Sequence, residues 1–197
     1  MKSRRPNKKK KSRSAKHKRS AQRGIAKNRR LSIERLEARQ MLTGDGLQAQ
    51  YFNTDDLSGP ALVRVDSSID FNWGTGSPDA SIAPNTFSAR WNGQLEAQFT
   101  ETHTFHVNAN DGARLWVNGV LLIDQFDNPL VSDASASIDL IAGRRYDIQF
   151  EFRELTGNAS ASLEWESSNL DRAVIPSSQL FSGHRGSLTA QRFNNIL

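Results

Sequence analysis

The segment YDIQFEFR, residues 146–153, sets Tyr146, Ile148, Phe150 and Phe152 at every second position, with Asp147, Gln149, Glu151 and Arg153 between them. A period of two is what a strand with one buried face requires, because successive side chains point to opposite sides of a sheet. The same alternation recurs at Ala159, Ala161, Leu163 and Trp165, at Ile69, Phe71 and Trp73, and at Phe87, Ala89 and Trp91. Turn formers separate these runs at Ser58-Gly59-Pro60, 74–78, Pro84-Asn85, Asn92-Gly93 and Ala142-Gly143. No comparably long helical period interrupts them. Many short strands at this spacing predict an all-β chain, an antiparallel sandwich or barrel beginning near Gly46.

Charge divides the chain in two. Residues 1–40 hold 17 lysines and arginines against Glu34 and Glu37, a net charge of +15, and no lysine follows Lys27. The total is only +5, so the remainder carries −10. Residues 1–30 have almost nothing to bury and are expected to be a disordered basic leader. Residues 31–43 are good helix formers and predict a short helix ending before Gly44. The leader's charge suits a polyanion or an anionic envelope surface. No aromatic residues interleave it for base stacking, so no specific nucleic-acid partner is expected. No apolar run reaches the roughly 18 residues of a membrane span, and no apolar block follows the basic stretch as an ordinary secretory signal demands. The chain has no cysteine, which removes disulfides and thiolate metal sites.

Two turn signals lie in NANDGARLWVNGVLLID, residues 108–124. Asn118-Gly119 predicts a tight hairpin, since both central residues of a type I′ turn need positive φ. Pairing Leu115 and Val117 with Leu122 and Val120 leaves Arg114, Trp116, Leu121 and Ile123 on the other face, where Trp116 serves either as packing or as a sugar platform. Asn110-Asp111-Gly112 is the less obvious signal. Taken by itself, it is a turn shaped by Asp111 bonding its own backbone. An enzyme finds little support: His103 and His106 fall on opposite strand faces, scattered carboxylates on outward faces read as a solvated surface, and no nucleophile motif or phosphate loop is present.

Two family resemblances bear on function. ERLEARQMLTG, residues 34–44, resembles the LEPR-XLL segment near the start of large bacterial surface proteins, through Leu36-Glu37, Arg39 and Met41-Leu42. It implies export to the cell envelope or beyond. Residues 46–182 resemble the protective antigen fourteen-kilodalton domain family. The likeness runs through Gly46-Leu47, Phe71-Asn72-Trp73, residues 87–91, residues 110–119, Leu122-Ile123-Asp124, residues 140–143, Leu163-Glu164-Trp165 and residues 175–180. It implies a β-sandwich-like barrel whose common denominator is glycan binding or attachment. In the family's lectins the loop at Asn110-Asp111 carries paired aspartates, joined by a cis peptide, that hold calcium (Ca2+) and sugar together. Here Asn110 stands at the first position, so one carboxylate is missing. Asn158 occupies the place of a third oxygen ligand. The resemblance therefore implies a metal site of Asn110, Asp111 and Asn158, with Trp116 joining those three as sugar contacts.

The expected role is a non-catalytic carbohydrate-binding and adhesion module of a surface or exported protein, with glycans as partners. The alternatives are a structural spacer without ligand and polyanion binding by the leader. LQAQYFN at 47–53 recurs as LTAQRFN at 188–194, so residues 183–197 read as a tail that begins a second copy. Limited trypsin digestion is expected to remove residues 1 to about 44 first, well before cleavage at Arg90, Arg114, Arg144 or Arg153 within the strands.

Overall fold

The computed structural model describes residues 44–127 and 133–183. The basic leader, the short helix over 31–43 and the repeat at 188–194 lie outside those residues. Twelve strands follow one another: β1 (Leu47–Phe52), β2 (Ala61–Asp66), β3 (Asp70–Gly74), β4 (Phe87–Glu96), β5 (Glu101–Asn110), β6 (Gly112–Val117), β7 (Val120–Asp124), β8 (Ala134–Leu140), β9 (Arg145–Glu154), β10 (Ala159–Ser167), β11 (Leu170–Val174) and β12 (Leu180–Phe181). One sheet runs β2-β1-β4-β9-β6-β7 with β12 beside β4; the other runs β11-β10-β5-β8 with β3 beside β10. All pairings are antiparallel. The all-β antiparallel fold expected from the alternation is what forms, as two sheets face to face.

Alternation explains the core directly. Ile148, Phe150 and Phe152 of β9 face the space between the sheets, as do Leu163 and Trp165 of β10, Trp91 of β4 and Phe105 of β5, and all are buried. Trp73 and Phe71 stack at 5.0 Å, and Trp73 meets Phe87 and Phe152 at 5.6 and 5.4 Å, giving one end of the core an aromatic floor. Aromatic pairs at such separations add about 0.5–1.5 kcal/mol each beyond their area.

The hairpin turn forms as its sequence predicts, with φ of 53° at Asn118 and 76° at Gly119. Its register differs from the expectation. Val117 opposes Val120 and Trp116 opposes Leu121, but an irregularity then sets Leu115 opposite Ile123 and Arg114 opposite Asp124. The extra residue is Leu122, and the bulge returns Ile123 to the core face beside Leu115. Four consecutive apolar residues, 120–123, allow either register by pattern alone.

Not every strand carboxylate is solvated as expected. Asp66 at the end of β2 is only 8% exposed. It accepts hydrogen bonds from Tyr51 Oη at 2.6 Å, Trp91 Nε1 at 2.8 Å and Arg64 Nε at 2.7 Å, and Arg64 also donates to Tyr51 Oη. Glu151, on the outward face of β9, is buried as well. Arg90 and Arg114 from the flanking strands clamp it, Gln149 donates a third bond, and Phe126 lies over Arg114. Buried charges are tolerated when so partnered, and removing one partner strands the others. Asp66→Ala is expected to destabilise the domain by roughly 3–5 kcal/mol, whereas Asp147→Ala, at an exposed strand position, should cost less than about 1 kcal/mol. Urea unfolding followed by tryptophan fluorescence measures both.

Candidate functional site

β5 belongs to one sheet and β6 to the other, and Asp111 alone joins them. The Asn110–Asp111 peptide bond is cis. Gly112 follows because a Cβ there would sit 2.4 Å from the Phe126 carbonyl oxygen. Asp111 also reaches across to the segment between β9 and β10. Its N–H donates to Arg153 O at 3.3 Å, and its Oδ2 accepts from the N–H groups of Leu155 at 2.7 Å and Thr156 at 3.3 Å. The same segment is held from its other side, where Thr86 N–H donates to Leu155 O and Asn85 Oδ1 accepts from Gly157 N–H.

These bonds gather three of the four residues singled out by sequence. Asn110 opposes Ser160 on β10, and Asn158 lies two residues before Ser160, at the tip of the segment that Asp111 ties down. Asn110 and Asn158 are exposed and Asp111 is half-buried, so this rim of the sandwich carries all three residues. Asp111 Oδ1 has no hydrogen-bond partner among the described residues.

Trp116 lies elsewhere. It sits five residues along β6 from Asp111, roughly 16 Å at about 3.3 Å per residue, on the outward face beside Arg114. There it borders a cleft of about 500 Å³ with Asn92, Asp147 and Gln149. His103 and His106 also stay apart from the rim: His103 packs on Trp165, and His106 Nε2 meets Glu166 Oε1 at 3.0 Å.

One residue next to the segment that Asp111 ties down is absent from the sequence-derived set. Glu154 ends β9 on the same face as Phe150 and Phe152, opposite Phe87 of β4, and is 0% exposed. Neither of its carboxylate oxygens has a hydrogen-bond partner. Burial pushes its carboxyl up to about 7, with the charge of Asp111 adding to the effect. One further step of the 146–152 alternation would have found it, since that step places a glutamate on the core face.

The donor set at this rim is hard oxygen throughout: the Asp111 carboxylate, the Asn110 and Asn158 amides, and the unpartnered Glu154 below them. Among the described residues no three His, Cys, Asp or Glu side chains converge. A cation held here would therefore draw on amide and backbone oxygens as well as carboxylates. Calcium accepts such a mixture, and these residues fit it.

The described sandwich coincides with a known family. The PA14 domain profile, that of the protective antigen fourteen-kilodalton domain, matches residues 44–179. The chain belongs to the PA14 domain family. Over 139 residues this PA14 domain is 46% identical to the anti-sigma-I factor RsgI3 of Acetivibrio thermocellus, a match covering 71% of this chain and 22% of that protein. A solved anti-sigma factor domain-containing protein is 45% identical with a TM-score of 0.68, over 70% of this chain and 47% of that one. The chain thus spans less than half the length of either relative. The PA14 sugar-binding domain from an RTX adhesin shares the fold at 17% identity and a TM-score of 0.54, over 71% of this chain and 99% of that one.

Glu154 gives the PA14 domain a pH signature. An unfolded glutamate loses its proton near 4.5, whereas the folded one keeps it to about 7. Between those values the folded state binds more protons, so this contribution to stability is complete below about pH 4.5 and is lost as pH rises through about 7. In EDTA, urea midpoints measured between pH 4.5 and 8 should show this decline. Glu154→Gln should flatten it.

Proposed function

We propose that this PA14 domain is a non-catalytic carbohydrate-binding module acting at the cell envelope or outside the cell. In this reading Asn110, Asp111 and Asn158 hold calcium and the same rim receives the glycan. The observation that supports it is the placing of Asn110, Asp111 and Asn158 along the adjoining end of β5 and the β9–β10 segment, with Asp111 anchored by Leu155 and Thr156. Calcium bound there would offer exchangeable positions to sugar hydroxyls. The protein's own work is to hold the oxygens in place. Asp111 fixes the β9–β10 segment, Asn85 and Thr86 brace it from behind, and the aromatic floor of Trp73, Phe87 and Phe152 resists collapse of the rim. The RTX adhesin domain, named for sugar binding, supports the ligand class. The LEPR-XLL-like segment supports the location, and an adhesive or anchoring role follows from both.

A second reading has its own support. The similarity to anti-sigma factors at 45–46% identity favours a sensory role, in which glycan capture is reported to a regulatory domain instead of fastening a surface. Both readings share the rim.

A glycan array probed with the full chain, with calcium and with EDTA, tests the proposal. Binding is expected only with calcium. Asp111→Ala should abolish it while leaving the strands folded by circular dichroism. Asn110→Asp should strengthen calcium binding by raising the ligand charge. A wild-type chain that binds no glycan in either condition, and shows no calcium heat at millimolar ion, would leave the domain a structural spacer.

A further inference from the structure

Glu154 is the outlier among the buried carboxylates of this domain. Asp66 accepts three hydrogen bonds and Glu151 is held by Arg90, Arg114 and Gln149, yet Glu154, as fully buried as either, accepts none. A carboxylate moved out of water without a partner costs several kcal/mol or more, and even the neutral acid leaves its O–H and carbonyl unsatisfied. Its surroundings supply no donor. Phe87 opposes it on β4, Phe152 precedes it on its own face, and the charge that bears on it is that of another carboxylate, Asp111. A buried acid without a partner, with a second carboxylate acting on it, is unfavourable as it stands.

Position gives the outlier a purpose. Asp111 brackets Glu154 along the backbone, bonding to Arg153 on one side and to Leu155 and Thr156 on the other. Glu154 therefore sits, on the inward-facing side of β9, between backbone groups that Asp111 holds on either side. Asp111 supplies the one carboxylate among the three residues of that reading, since Asn110 and Asn158 are neutral amides. Resting on the calcium reading above, we infer that Glu154 is a ligand of the cation held by Asp111, the second carboxylate of the site, rising from the core side instead of from the Asn110 position. A divalent ion would then satisfy both acids at once, and burial of Glu154 would be the means by which its oxygens stay aimed at the ion. Ligand charge is what tunes calcium affinity, so a site with Asp111 and Glu154 regains the charge that Asn110 does not supply.

The test is calcium titration calorimetry on the full chain as wild type, Glu154→Gln and Asp111→Ala, each with a thermal melt in EDTA. Glu154→Gln is expected to melt in EDTA at or above the wild-type temperature, because it removes an unpaired buried acid. Its calcium affinity should nevertheless fall by at least about tenfold, since one of two ligand charges is gone. Unchanged affinity in Glu154→Gln, beside loss of binding in Asp111→Ala, would overturn the inference and leave the calcium reading standing. Absence of calcium binding in wild type would overturn both. Should Glu154→Gln fail to fold, wild-type crystals grown in calcium decide the matter. A Glu154 oxygen within about 2.3–2.6 Å of the ion supports ligation, whereas a water molecule on Glu154 in place of the ion overturns it.

Discussion

Between β5 and β6 the chain changes sheets within a single residue, Asp111. Its carboxylate takes two N–H groups from the β9–β10 segment, so the crossing from one layer to the other and the shape of the neighbouring loop are fixed by the same oxygen. Most connections in a sandwich run free over the surface and tolerate change. This one cannot, because Gly112 is pressed against the Phe126 carbonyl on one side and β5 ends at Asn110 on the other. A loop bolted to the scaffold in this way is held by rigid elements instead of by its own conformation, which is what the proposed site requires.

The electrostatics of the two faces follow a single rule with one exception. Where the fold buries a carboxylate for structural reasons it supplies donors in full. Asp66 ties together β1, β2 and β4 through Tyr51 and Trp91, and Glu151 ties β4, β6 and β9 through two guanidinium groups. Both are cross-strand clamps whose charges are answered on the spot. Glu154 has the same burial and none of the donors, and its backbone lies between groups bonded to Asp111. A sequence agrees with its fold at most levels and departs from that agreement where function asks for it.

Much of the architecture was legible in the sequence because alternation is a direct consequence of strand geometry. The faces containing Tyr146 to Phe152, Ala159 to Trp165 and Phe87 to Trp91 are those the core uses, and the Asn118-Gly119 turn adopts the positive φ values its residues favour. The hairpin register was not legible, since residues 120–123 are all apolar and the bulge at Leu122 changes no pattern. Burial of Glu151 was hidden for another reason: it depends on Arg90 and Arg114 arriving from strands distant in sequence. Within the candidate site, Asn110, Asp111 and Asn158 were singled out through family resemblance alone, and strand pairing sets them along the end of β5 and the β9–β10 segment. Trp116 was near them only along the chain, and the direction of β6 carries it to another cleft.

The central claim is that the rim formed by Asn110, Asp111 and the β9–β10 segment is where this PA14 domain takes its ligand. Amide chemical shifts recorded by nuclear magnetic resonance during a calcium titration of the uniformly labelled chain test it most directly. The account predicts that shifts concentrate on Asp111, Gly112, Leu155, Thr156 and Asn158, with the Trp116 indole unmoved. Shifts confined to the cleft of Asn92, Asp147 and Gln149, or no shifts at millimolar calcium, would contradict it.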